Sequence, residues 1–133
     1  MPTPRTIALR WKHPAPAWVK ESERDPVVWV DVKRLDLAWR PTDHYVGPGG
    51  TGAAIAGRYK QFGEWIARTE KAVEMPTIGL CDDGEVGFTD GRHRFAWLRD
   101  RGLESMPVAV SKESLEQITA RFGVGECDCF ITI

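Results

Sequence analysis

Between Pro76 and Val110 the order of residue types leaves few folds open. Pro76 to Leu80 reads as a strand, Asp82-Asp83-Gly84 as a turn, and Glu85 to Thr89 as the returning strand. Gly91 to Arg101 then has helical spacing with Phe95, Trp97 and Leu98 inward, Gly102 closes it, and Met106 to Val110 continues as a strand. A hairpin that feeds a helix and then another strand predicts an α+β domain, a small mixed β-sheet with flanking helices.

The remaining segments fit around that unit. Val27 to Val32, β-branched and aromatic after the break at Asp25-Pro26, reads as a core strand. Thr6 to Trp11 reads as an edge strand, ended by His13-Pro14-Ala15-Pro16. Arg40 to Gly52 is an irregular, glycine-rich loop. The apolar spacing Ile55, Tyr59, Phe62, Ile66 and Val73 predicts one long helix from about Thr51 to Glu74, broken or bent near Gly63. Ser114 to Gln117 has the form of a capping box before a helix that buries Leu115, Ile118 and Phe122, and Cys129 to Ile133 can pair as a strand. Residues 1–133 are expected to form one domain with its core at about 27–123.

Charge limits the function classes. Eighteen basic and nineteen acidic side chains leave a net charge of −1, which argues against gripping a polyanion over the whole surface. Six tryptophans are expected mostly in the core. Three cysteines and a start without an apolar stretch predict a soluble, cytoplasmic chain with reduced thiols.

The chemistry concentrates at Thr89-Asp90-Gly91-Arg92-His93-Arg94. A helix start leaves backbone N–H groups unpaired and partly positive, so a phosphate there satisfies them, and Gly91 lets the backbone come close. Arg94 can grip phosphate oxygens by paired hydrogen bonds, and His93 can donate a bond or move a proton. Asp90 has two readings: a cap for the helix, or a ligand for a divalent metal that bridges phosphates. The candidate phosphate-binding residues are therefore Thr89, Gly91, Arg92, His93 and Arg94. The catalytic candidates are Asp90 and His93, and Asp90 is the metal candidate.

The stretches Pro76-Thr77-Ile78, Asp83-Gly84, Asp90 to Arg94, Arg101-Gly102 and Met106-Pro107-Val108 resemble the ParB/sulfiredoxin superfamily in order and spacing. Val28 to Leu35 resembles that superfamily's first strand and turn more loosely, and the N-terminal arm and the tail lie outside the likeness. The resemblance implies a nucleotide site on the matching turn, holding ATP or CTP with Mg2+. Its members include sulfiredoxins, CTP-hydrolysing partition proteins, a free-serine kinase and plasmid-encoded nucleases, so a phosphohydrolase, a phosphotransferase or a nuclease is implied. Arg92 stands where a sulfiredoxin carries its cysteine, and Cys81 lies a strand away, so the chain is not expected to be a sulfiredoxin. Partition proteins carry a helix-turn-helix domain after this one, for which 133 residues leave no room, so centromere binding is not expected, and Glu21 and Glu23 do not align securely with the kinase's catalytic glutamate. The alternative is a non-catalytic or nuclease-like accessory protein of a plasmid or phage that binds DNA or a protein.

Other motifs weigh less. Gly47 to Gly52 matches a dinucleotide glycine fingerprint but follows a poor strand and lacks a P-loop lysine, so a loop, or a lid beside the nucleotide, is expected. Cys127-Asp128-Cys129 offers two thiolates, short of the four ligands of a structural zinc site. Arg92, Arg94, Arg99 and Arg101 make a basic cluster, read as a solvated helix face with nucleic-acid contact as the other option.

Overall fold

The computed structural model describes residues 4–68 and 71–133. Its centre is a mixed four-stranded sheet in the order β3-β9-β7-β8, made by β3 (Val27–Asp31), β7 (Thr77–Leu80), β8 (Val86–Asp90) and β9 (Ser105–Val110). β3 is antiparallel to β9, β9 parallel to β7, and β7 antiparallel to β8. This is the α+β architecture expected, with the hairpin and the crossover helix where the sequence puts them.

β9 is buried at every position, although Pro107 lacks the N–H that an interior strand donates. The register explains how it is tolerated. β7 pairs with β9 only at Ala109 and Val110, so Pro107 faces a partner strand on the β3 side alone, opposite Trp29.

Helices cover the sheet. α1 (Val32–Trp39) follows β3 directly, where only a turn was expected. Asp31 accepts the Arg34 N–H at 2.8 Å as an N-cap, and Val32, Leu35, Asp36 and Trp39 are buried with helical period. α3 (Arg92–Asp100) buries Phe95, Ala96, Trp97 and Leu98, and Gly102, at φ +84°, ends it. α4 (Leu115–Phe122) buries Ile118 and Phe122. Ser114 does not cap it; its hydroxyl accepts the Leu80 N–H at 3.1 Å and ties the helix start to β7.

The long helix expected over 51–74 is shorter. α2 spans Arg58–Arg68, and 69–70 lie outside the described residues. On one side β5 (Thr51–Gly52) pairs with β4 (Val46–Gly47), and Gly52 and Gly57 hold positive φ. On the other, β6 (Val73–Glu74) pairs in parallel with β2 (Trp11–Lys12). Gly63 sits inside α2 without a break and lets Trp97 pack on the helix: a Cβ there would lie 2.5 Å from Trp97 Nε1.

β1 (Thr6–Ala8) and β10 (Phe130–Thr132) form a further antiparallel ribbon, so the arm and the tail are strands, as read. Of the tryptophans, Trp39 and Trp97 are buried, Trp11, Trp29 and Trp65 are half-buried, and Trp18 is 83% exposed, so fewer enter the core than expected. Trp39 gathers Tyr45, Phe88 and Phe95 within 4.5–5.7 Å between centroids. No helix among the described residues is long and apolar enough to cross a membrane.

Candidate functional site

β8 delivers the chain to the helix start and Gly91 makes the turn. Its φ of +85° is in the left-handed region, and a Cβ there would lie 2.9 Å from Pro76 Cα and 2.8 Å from Arg94 Nη2. Both the conformation and the close approach require glycine. No side chain caps α3. Of the two readings of Asp90, capping is therefore not the one adopted: its carboxylate accepts from Arg94 Nη2 at 3.3 Å, while its side chain stays 58% exposed. Thr89 is exposed beside it.

Arg94 folds back over this turn. Its Nη2 lies 3.3 Å from Asp90 and 3.6 Å from Glu74, both longer than the 2.7–2.9 Å of a strong charge-assisted bond, and its Nε is buried with no hydrogen-bond partner. The guanidinium is thus screened by two acids at one nitrogen and left with donor capacity elsewhere. A helix start without a side-chain cap and a guanidinium held only by two long contacts to acids adjoin at the Gly91 turn.

Arg92 and His93 turn the other way. Arg92 Nη2 donates to the Ala53 carbonyl at 3.2 Å, and His93 Nε2 accepts the Ile55 N–H at 2.9 Å. His93 is buried; that burial, with Arg92 and Arg58 nearby, lowers its pKa from the ordinary 6.5. An imidazole that accepts at Nε2 is neutral with its proton on Nδ1. The motif is therefore split: Asp90 is exposed with Arg94 folded back against it, while Arg92 and His93 hold the segment after the glycine loop.

That loop is a β4–β5 hairpin around a 3-10 turn at Pro48–Gly50, not the strand-to-helix turn of a dinucleotide site. It is clamped along α3 by a network that the basic-cluster reading missed. Arg99 is only 10% exposed in its side chain; Nη1 donates to Asp36 at 2.9 Å and the Val46 carbonyl at 2.7 Å, and Nε donates to Asp100 at 3.0 Å. Asp100 also accepts the Gly49 N–H at 2.9 Å and the Tyr59 hydroxyl at 2.7 Å. Burial pushes the Asp100 carboxyl up, but these donors outweigh it and hold the group below its ordinary value. Arg101 lies over Trp97, 4.7 Å from the ring centroid. Arg101 is exposed, but Arg92 and Arg99 are tied into the fold, so the cluster is only in part the solvated face expected. The available signal was spacing: Arg92-His93 and Arg99-Asp100 stand seven residues apart and so share a helix face.

The remaining candidates sit apart. Glu21–Glu23 is an exposed 3-10 turn. Cys127 Sγ lies 2.9 Å from Ser105 Oγ, and Cys129 is buried, its thiol pushed up to about 11 chiefly by that burial. Among the described residues no group of three or more His, Cys, Asp or Glu is placed to hold a metal.

Comparison with known proteins bears on this same core. No curated protein matches the chain. A family model described as plasmid fertility inhibition factor matches residues 64–123, which include β7, β8, the Gly91 turn, α3, β9 and α4. The fold is also similar to the crystal structure of the oncogenic suppression activity protein, a plasmid fertility inhibition factor, in its gold(I) cyanide derivative. The TM-score is 0.59 at 18% identity, over 95% of this chain and 71% of that one. The sheet and helices that carry Gly91 and Arg94 thus have the fold of a solved plasmid fertility inhibition factor.

Proposed function

We propose that the chain is a plasmid-borne accessory protein of the fertility inhibition type that works through a nucleotide-phosphate site at the start of α3. The observation that carries this reading is the Gly91 turn, where a helix start without a side-chain cap adjoins the Arg94 guanidinium, whose Nη2 passes close over Gly91. Preorganised amides with an arginine above them are suited to a phosphate that replaces the two carboxylates now sharing Nη2. The ParB/sulfiredoxin likeness of the same residues supports ATP or CTP as the ligand.

Asp90 suits Mg2+ in this reading. Its exposed carboxylate lies beside the helix start, and Mg2+ commonly takes one or two carboxylates and fills its shell with phosphates and water. When bound, the ion would neutralise phosphate charge. His93, neutral and bonded to Ile55, serves to orient the loop next to the site. Such a site belongs with Mg2+-dependent phosphohydrolases and phosphotransferases.

The test is calorimetric titration of ATP, CTP and GTP with Mg2+ into the wild type and Arg94→Ala. Binding by the wild type that falls about tenfold or more in the variant is expected. Equal binding by both, or none by either, discards the site. Phosphate release from ATP or CTP that needs Mg2+ and disappears in Asp90→Ala would establish turnover.

The plasmid association of both comparisons favours one further reading, an accessory factor that binds DNA or a protein, with or without nuclease activity. A gel shift that weakens with salt supports the DNA form. Metal-dependent cleavage lost in Asp90→Ala supports the nuclease form.

A further inference from the structure

Beside the Gly91 turn lies a cavity of about 260 Å3 walled by Lys12, Phe62, Trp65, Lys71, Glu74 and Arg94. The fold assembles it from three places. The parallel β2–β6 ribbon sets Lys12 across from Glu74, α2 supplies the two rings, and α3 supplies Arg94. Lys12 and Trp65 come from outside the stretch that resembles the ParB/sulfiredoxin turn.

The wall combines two recognition chemistries. Trp65 stacks on the buried Phe62 with centroids 5.8 Å apart and planes at 30°, so one ring anchors the other, and Trp65, partly buried against the core, borders the cavity. Lys12, Lys71 and Arg94 bring three cations to one small space in a chain of net charge −1. Arg94 belongs both to this wall and to the turn, so a ligand held at the helix start is continuous with the aromatic platform.

Resting on the phosphate-binding reading, we propose that this cavity seats the base of the nucleotide. The base lies against Trp65, and Lys12 and Lys71 flank the phosphates that Arg94 and the α3 amides hold. Aromatic platforms accept any base because every base presents a π-face, while surrounding cations track its phosphates. At about 260 Å3 the cavity lies just under the ~300–1,000 Å3 of typical small-molecule sites, so in this proposal it takes the base alone and leaves the phosphates over the start of α3.

The experiment compares inorganic tripolyphosphate, ATP and CTP, each with Mg2+, by calorimetry on the wild type, Trp65→Leu and Trp65→Phe. The wild type should bind the nucleotides about tenfold or more tightly than tripolyphosphate. Trp65→Leu should bring the nucleotides down to the tripolyphosphate level without changing tripolyphosphate itself, and Trp65→Phe should keep most of the difference. Thermal melts establish that each variant is folded, and if Trp65→Leu is not, the wild-type comparison and Trp65→Phe still decide. Equal wild-type affinity for nucleotides and tripolyphosphate, or nucleotide binding indifferent to Trp65→Leu, overturns the base site and leaves the phosphate site standing. Absence of binding by all three ligands overturns both. Trp65-dependent binding of a single-stranded oligonucleotide, with none of mononucleotides, overturns the proposal in favour of strand recognition.

Discussion

Arg99 can enter the interior with its charge because Asp36 and Asp100 meet it there with hydrogen bonds. Arg99→Met leaves two carboxylates without their cation and should cost about 3–5 kcal/mol in urea unfolding, with part regained in the double variant Arg99→Met/Asp100→Asn. A loss below about 1 kcal/mol would mean that the network is solvated. His93 makes a pH prediction. Its folded pKa lies below the ordinary 6.5, so the unfolded chain binds the extra proton first. Its contribution to stability is complete above 6.5 and declines as pH falls from there toward the folded value. That slope should be missing in His93→Gln, which keeps an acceptor for Ile55. Glu74, 3.6 Å from Arg94, competes with any incoming phosphate, so Glu74→Gln should tighten polyphosphate binding up to about fivefold. At this scale the sequence was legible in residue type but not in direction. Asp90 to Arg94 stood out as a cluster, yet nothing local says that Arg92 and His93 turn to Ala53 and Ile55 while Arg94 folds back to Asp90 and Glu74.

Elements with strong local signals formed where they were expected, and those decided by distant partners did not. β7, β8 and α3 carry their own turn and stop residues, with Gly84, Gly91 and Gly102 all at positive φ. The 51–74 pattern looked helical throughout, but 51–55 is claimed by β4 and α3 and 73–74 by β2, contacts that periodicity cannot register. Ser114 had the spacing of a cap and was taken instead by Leu80. Gly63 separates local from tertiary reasoning. Helix propensity predicts that Gly63→Ala stabilises α2 by about 1 kcal/mol. Packing predicts the opposite sign, because the new Cβ would meet Trp97 Nε1 at 2.5 Å. A lower melting temperature for Gly63→Ala bears out the packing, and a higher one refutes it.

Across the whole molecule the sheet topology positions the site. Antiparallel β7–β8 and the β8–α3–β9 crossover place the start of α3 beside Pro76, and the β2–β6 ribbon brings Lys12 and Glu74 to the same edge. The α+β class was readable because it depends on element order, whereas the wall formed by Lys12 and Trp65 depends on pairings between remote segments. The central claim is that the α3 amides and Arg94 receive a phosphate. Its most direct test is an amide NMR titration of the wild type with Mg2+ and ATP or CTP. The account predicts that the Arg92, His93 and Arg94 amides shift with ligand and that these shifts are lost in Arg94→Ala. Saturable binding that leaves those three amides unmoved, or moves them equally in the variant, would contradict it.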